Sequence, residues 1–449
     1  MMKFIENLTN IWKIDELRNR VILTLGILLV YRFGAHVVLP GIDSAQLHEL
    51  TQKTLGGGLL DILNAFTGGA FANASVFALG IMPYISASIV VQLMGIAIPY
   101  LQKLQKEGES GRRKLNQITR WLTILICIVQ APAYLYGLGA LGVPDSAFVL
   151  GKGLDFIIPA VIILVTGTVF AMWLGEKITD KGIGNGISLL IMVGIIARLP
   201  LAFFSEAASR IEGSNGGLML ILVELIIWFV IILLSIFLIM AVRQIPVQYA
   251  RRTAGGAVEK NVFGARQYIP LKLNASGVMP IIFAQALMFV PAAVAGLLTS
   301  ETAKEFQAAF GDIFGFWYNL LFAVLIILFT YFYTAITVPT NKMADDLKRS
   351  GGFIPGIRPG KETADYLDKI MSLITFPGSI FLALIAVFPA ILVKIIDMQQ
   401  GWAMFYGGTS LLILVGVAID TMQQVNSYLL NRHYDGLMKT GKNRKTVSQ

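Results

Sequence analysis

Charge is scarce in this 449-residue chain. Asp, Glu, Lys and Arg make up only 14% of it, apolar residues make up 55%, and the mean hydropathy is +0.70. A soluble protein of this length needs far more charge to cover its surface, because those four residue types rarely go inside. Lipid must therefore be one of its solvents. There is a single cysteine, Cys127, set in an apolar run, which excludes an intrachain disulfide and reads as an inert buried thiol. The three histidines, His36, His48 and His433, have no partners at metal-ligand spacing, so neither a metal nor another cofactor is expected. His-Glu-x-x-His and Gly-x-Ser-x-Gly are both absent. The stretch from Gly356 to Lys361 has three residues between its glycines where a phosphate-binding loop needs four. Glu362 then stands where that loop needs Ser or Thr. No catalytic constellation emerges, and an enzyme is not expected.

What the chain has is long apolar runs. About 20 mostly apolar residues cross about 30 Å of hydrocarbon. By that measure spans are expected near 21–39, 74–98, 115–138, 154–175, 183–200, 217–242, 275–298, 315–338, 370–394 and 403–430. Ten spans predict an alternation of loop charge, and the loops on one side hold 29 of the 36 basic residues. That asymmetry puts both termini in the cytoplasm and assigns the net charge of +9 to cytoplasmic loops rather than to nucleic-acid recognition. The first twenty residues, with Ile11, Trp12, Asp15, Glu16, Arg18 and Arg20, mix charge and apolar character at helical spacing. They read as an amphipathic segment on the cytoplasmic surface, and no cleavable signal peptide is expected.

Two long connections, roughly 243–273 and 339–369, combine basic, glycine, proline and aromatic residues, a composition that suits either docking of a cytosolic partner or simple cytoplasmic hairpins. Residues 59–69 form a short segment of helical period, with Leu59, Ile62, Leu63 and Phe66 on one face and Gly68 and Gly69 ending it. It is too short to span, so it reads as a re-entrant or plugging helix, or as a surface helix. Five spans in each half, residues 1–205 and 206–449, permit two inverted halves meeting at the membrane midplane. Few ionisable residues fall in or near the spans: Arg32, Glu224, Asp420 and Glu176. Helix pairing or snorkelling accounts for them, whereas an ion-coupled secondary transporter, the rival reading, needs a tighter polar cluster. Gly182-Ile183-Gly184-Asn185-Gly186 follows no strand and reads as a flexible lead-in to a span. Ile81, Ile85 and Ile89, and likewise Ile187 and Ile191, recur one helical turn apart. Periodicity alone leaves them as packing surface, lipid-facing surface or pore lining.

At the second expected span the text becomes recognisable. The run Phe77–Ile89 (Phe-Ala-Leu-Gly-Ile-Met-Pro-Tyr-Ile-Ser-Ala-Ser-Ile) resembles a signature of the SecY family, the channel subunits of the bacterial Sec preprotein translocase. So do Glu107–Lys114, Gly182–Ser188, Pro246–Ala250, Ile269–Lys272, Phe353–Gly360 and Tyr406–Ile413, in order along nearly the whole chain.

The resemblance implies an all-α membrane protein, a clamshell of ten transmembrane helices in two inverted halves around an hourglass pore. Its apolar ring would be Ile81, Ile85, Ile187, Ile191, Ile282 and Ile413, and its plug the segment 59–69. Ser86, Gln130, Asn274 and Gln285 would lie near a lateral gate to lipid. Arg251, Arg252 and Arg358 would dock the ribosome or the SecA ATPase, with SecE and SecG as companion subunits and signal peptides and nascent chains as cargo. The loop tip at 251–267 departs from the family pattern in being longer and less basic.

Overall fold

The computed structural model describes residues 14–43, 67–140, 147–149, 153–212, 217–249, 267–285, 287–288 and 312–443, with Trp12, Asn64 and Gly151. It is helical almost throughout. The elements are α1 (Asp15–Gly34), α2 (Met82–Ala97), α3 (Pro99–Lys106), α4 (Glu109–Ala140), α5 (Leu154–Lys181), α6 (Gly186–Glu212) and α7 (Gly217–Met240). Strands β1 (Val242–Tyr249) and β2 (Gln267–Lys272) follow, then α8 (Phe316–Thr337), α9 (Thr340–Arg349), β3 (Gly352–Phe353), α10 (Lys361–Ile396), α11 (Gln400–Ala403) and α12 (Gly408–Asn443).

Among the described residues, seven helices are long and apolar enough to cross a membrane. The pair α2–α3, bent by 104°, would make an eighth. The bend has a local cause. Ile98 precedes Pro99, which disfavours the helical conformation before it, and Ile98 is extended at φ −102°, ψ 114°. Of the other two expected spans, α1 carries Asp15, Glu16, Arg18, Arg20 and Arg32, and 275–298 is described only as far as 288.

Three expectations shift. The charged residues 15–20 are not part of a separate surface segment but open α1, where Arg18 pairs with Asp15 at 2.9 Å and Arg20 with Glu16 at 3.1 Å. The second span does not become helical at 74. Residues 67–81 run in turns, with Gly80 at φ +55°, and α2 starts at Met82 with Pro83 in its first turn. The connection 243–273 contains β structure that the helical reading missed. β1 pairs antiparallel with β2 from Val242↔Lys272 to Val247↔Gln267, and with β3 only at Gln248 and Tyr249. A strand carrying Pro246 cannot offer a full ladder on both edges, and β3 leaves that stretch open. Ile245, Val247 and Leu271 turn inward onto Leu347, Ile354, Leu367 and Met371, forming a small core of their own.

The chain divides into two compact units, Met1–Ser205 with Ile413–Gln449, and Glu206–Leu412. In the first unit, Leu39, Ala74, Ala78, Tyr134, Leu138, Phe148 and Leu164 belong to one buried cluster, and the Tyr134 hydroxyl donates to the Phe71 carbonyl at 2.7 Å. Cys127 is fully buried there.

In the second unit, aromatic packing of Trp228, Trp402, Phe405 and Tyr406 is fixed by two donations. Trp228 Nε1 reaches the Phe405 carbonyl at 2.9 Å, and Trp402 Nε1 the Tyr406 hydroxyl at 3.1 Å.

Candidate functional site

In the first unit, Ile81 is buried at the N-cap of α2, and Ile85, one turn on, is buried and donates its amide to the Ile81 carbonyl at 3.0 Å. On α6, Ile187 is half-buried and Ile191, the next turn, is buried. Ile413 is buried in α12 beside Leu411 and Leu412. Ile282 lies in the second unit, half-buried in the helical stretch 279–285. Of the polar candidates, Ser86 is half-buried on α2 and Gln130 is exposed on α4. Asn274 and Gln285, both buried, belong to the second unit. Asn274 Oδ1 accepts from the Ser276 hydroxyl at 3.2 Å, while Gln285 Oε1 accepts nothing among the described residues. Arg358 is exposed, 3.8 Å from Glu362, an ion pair weak enough for its guanidinium to engage a partner. Arg251 and Arg252 lie outside the described residues, as do Leu59, Ile62, Leu63 and Phe66.

The end of the expected plug is described, and it is tied down. Gly68 adopts φ +65° against the backbone of Gly194 on α6, where a side chain would collide. Its carbonyl accepts from Arg32 Nη1 at 2.6 Å. Gly69 donates to the Asn64 carbonyl at 2.9 Å, and Asn64 Oδ1 accepts from the Ala72 amide at 3.1 Å. Arg32 in the first span therefore has an intramolecular partner, though it lies on a turn and not on a second helix as the helix-pairing reading of span charges expects. Glu176 fits the same reading, accepting from Arg120 Nε at 2.9 Å and Nη2 at 2.6 Å. Asp420 is exposed.

Glu224 belongs to a cluster that spacing did not disclose. Arg210, nearly at the end of α6, is buried and donates from Nε to Glu206 at 2.7 Å. Its Nη2 reaches the carbonyls of Ile396 and Asp397 at 3.1 Å each, which the end of α10 would otherwise leave without partners. Glu206 also accepts from the Gln399 amide at 2.9 Å. Glu224 Oε1 lies 3.0 Å from the same Nη2, close enough for charge attraction but not aligned as a hydrogen bond, and neither Glu224 oxygen accepts one among the described residues. The i, i+4 spacing of Glu206 and Arg210 was the one available hint.

The segment Gly182–Gly186 is the clearest correction. It is not a flexible lead-in, because side chains from three helices take up its amides. Ile183 donates to Thr24 Oγ1 at 3.1 Å, Gly184 to Gln424 Oε1 at 2.9 Å and Gly186 to Thr179 Oγ1 at 2.9 Å. Asn185 Oδ1 accepts from Ile187 at 3.2 Å and Ser188 at 3.3 Å, capping α6. Gly184 sits at φ +81° under Thr421, and Gly186 lies so close to the Gly175 carbonyl that no side chain fits.

The SecY family model matches residues 75–422. A curated relative, the protein translocase subunit SecY of Halalkalibacterium halodurans, is 41% identical over 96% of this chain and 99% of its own length. Among solved structures, a SecY channel studied for the way its plug domain stabilises the closed state matches with a TM-score of 0.61 at 18% identity, over 91% of both chains. Sec61 from a canine ribosome–channel complex matches with a TM-score of 0.56 at 15% identity, also over 91% of both.

Proposed function

This chain belongs to the SecY family, and on that premise we propose a residue-level account of how it conducts polypeptide. It is a protein-conducting channel subunit, not an enzyme and not a small-solute transporter. The observation that carries the account is 41% identity to a translocase subunit over 96% of this chain, alongside burial of Ile81, Ile85, Ile191 and Ile413 inside the first unit. Together with Ile187 and Ile282 they form the constriction. Bulky aliphatic side chains hold little water and exclude ions by dewetting, yet they yield to a passing chain because they make no directed bonds. Residues 59–69 are the plug, and Arg32 fastens their C-terminal end through the Gly68 carbonyl.

Each apolar side chain of a passing segment gains about 1.5–3 kcal/mol on leaving water. A lateral gate bordered by Ser86, Gln130, Asn274 and Gln285 lets that gain sort apolar segments into lipid while polar ones go through. The two halves, 1–205 and 206–449, open as a clamshell of ten spans. The chain sits in a bacterial inner membrane with both termini and the basic connections on its cytoplasmic side, in line with the loop-charge asymmetry. There Arg251, Arg252 and Arg358 dock the ribosome or SecA, which supplies the energy, with SecE and SecG alongside. The canine relative's assembly with a ribosome supports the first of these partners.

The test is reconstitution with the companion subunits. Liposomes given SecA and ATP are expected to import a secretory precursor, and Ile413→Asn is expected to raise resting ion leak in a planar bilayer. Unaltered leak would remove Ile413 from the ring, and absence of import would overturn the account as a whole.

A further inference from the structure

The six ring positions need an aim as well as a surface, and Ile187 and Ile191 take theirs from the first turns of α6. We propose that Thr24 and Gln424 are positioning residues for this part of the ring. They grip the turn that launches α6 and so set where its isoleucines point. The inference rests on the reading of Ile187 and Ile191 as ring members.

The geometry is specific. Thr24 acts as a two-way link. Its hydroxyl donates to the Arg20 carbonyl on its own helix at 2.8 Å and accepts the Ile183 amide at 3.1 Å. Gln424, from α12, accepts the next amide, that of Gly184, at 2.9 Å. Thr179, on α5, donates to the Gly175 carbonyl at 3.0 Å and accepts the Gly186 amide at 2.9 Å. The turn is thus held by α1, α5 and α12 at once. The glycines let it come that close, since at Gly182 any side chain would strike Thr24 Oγ1 and the Ile178 carbonyl. On the far side, Gly175 packs directly under Ile187 and Leu190, so a shift of the turn is transmitted to Ile187 without slack. Thr24, Gln424 and Thr179 are neutral, and the one charged group at the turn, the Arg20 guanidinium, donates to the Gly182 carbonyl only at 3.5 Å.

Thr24→Val keeps the shape and removes the hydroxyl, Gln424→Leu removes the acceptor, and Thr24→Ser keeps the hydroxyl as the conservative control. Two measurements on the reconstituted complex decide the matter. Hydrogen exchange at the amides of 183 and 184 is expected to speed up about tenfold in Thr24→Val and Gln424→Leu and to stay near the parent rate in Thr24→Ser. Resting conductance in a planar bilayer is expected to rise about threefold in the same two variants and not in Thr24→Ser. Unchanged exchange would show that the grip does not hold the turn and would overturn the proposal. Faster exchange with unchanged conductance, while Ile191→Asn does leak, would also overturn it, because the turn would then be held without aiming the ring. If Ile191→Asn is silent as well, the ring reading itself has failed and the aiming role fails with it.

Discussion

The helices α7 and α12 are both long enough to span a membrane, yet they treat their side chains in opposite ways. Of the most apolar 18 residues of α7 only 17% are buried within the protein, against 72% of the most apolar 18 within Gln400–Leu429, which contains most of α12, although α7 is the more apolar of the two. The few buried positions of α7 include Glu224 and Ser235. In water this would be inside out. In lipid the hydrocarbon is as apolar as leucine, so greasy side chains gain nothing by turning inward, and packing and polar contacts decide which face does. On α7, therefore, hydropathy marks the exposed surface, and Glu224 and Ser235 mark the side that faces protein.

The sharpest way to break that contrast is at Arg210. Arg210→Met leaves the carboxylates of Glu206 and Glu224 buried without a cation, and removal of one partner from such a cluster costs about 3–5 kcal/mol. The expected result is a large loss of unfolding free energy in denaturant titrations in mixed micelles. A stable variant would mean that the cluster does not secure α7 and the ends of α6 and α10.

A paired comparison comes next. Leu412→Ala, in the buried run before Ile413, is expected to cost about 2–5 kcal/mol through lost contacts and a cavity. Leu222→Ala, on the exposed side of α7, is expected to cost under about 0.5 kcal/mol by the same titration. Equal costs would erase the distinction between the two helices. Between those two costs falls Trp228→Phe, which keeps a ring against Trp402 but takes the donor from the Phe405 carbonyl, a loss of about 1 kcal/mol.

Much of the fold was legible because a membrane span is a crude signal, namely length plus apolarity. The extents of α4, α5, α7 and α8 lie close to the runs that announced them. What spacing could not see was anything made by distant parts of the chain. Thr24 and Ile183 are 159 residues apart, and Gln424 and Gly184 are 240 apart. A glycine-rich turn therefore looked loose when it is held from three directions. Arg210 looked like a loop charge because it stands near a span end, and only the tertiary fold brings Glu224 and the end of α10 to it. β1 and β2 were hidden by Pro246 and Pro270, which weaken a strand pattern, and by the long connection between them that carries no strand signal. The ring isoleucines were visible as a stripe but not as a site, since an i, i+4 pair looks the same whatever it faces. Family resemblance, not periodicity, singled them out.

The lone sulfhydryl has a practical consequence. Cys127 is walled off on every side by α4 and its neighbours in the folded state. Water-borne thiol reagents should pass the native chain by, so a cysteine placed at any of the constriction positions would report on that position alone, with no background to strip out first.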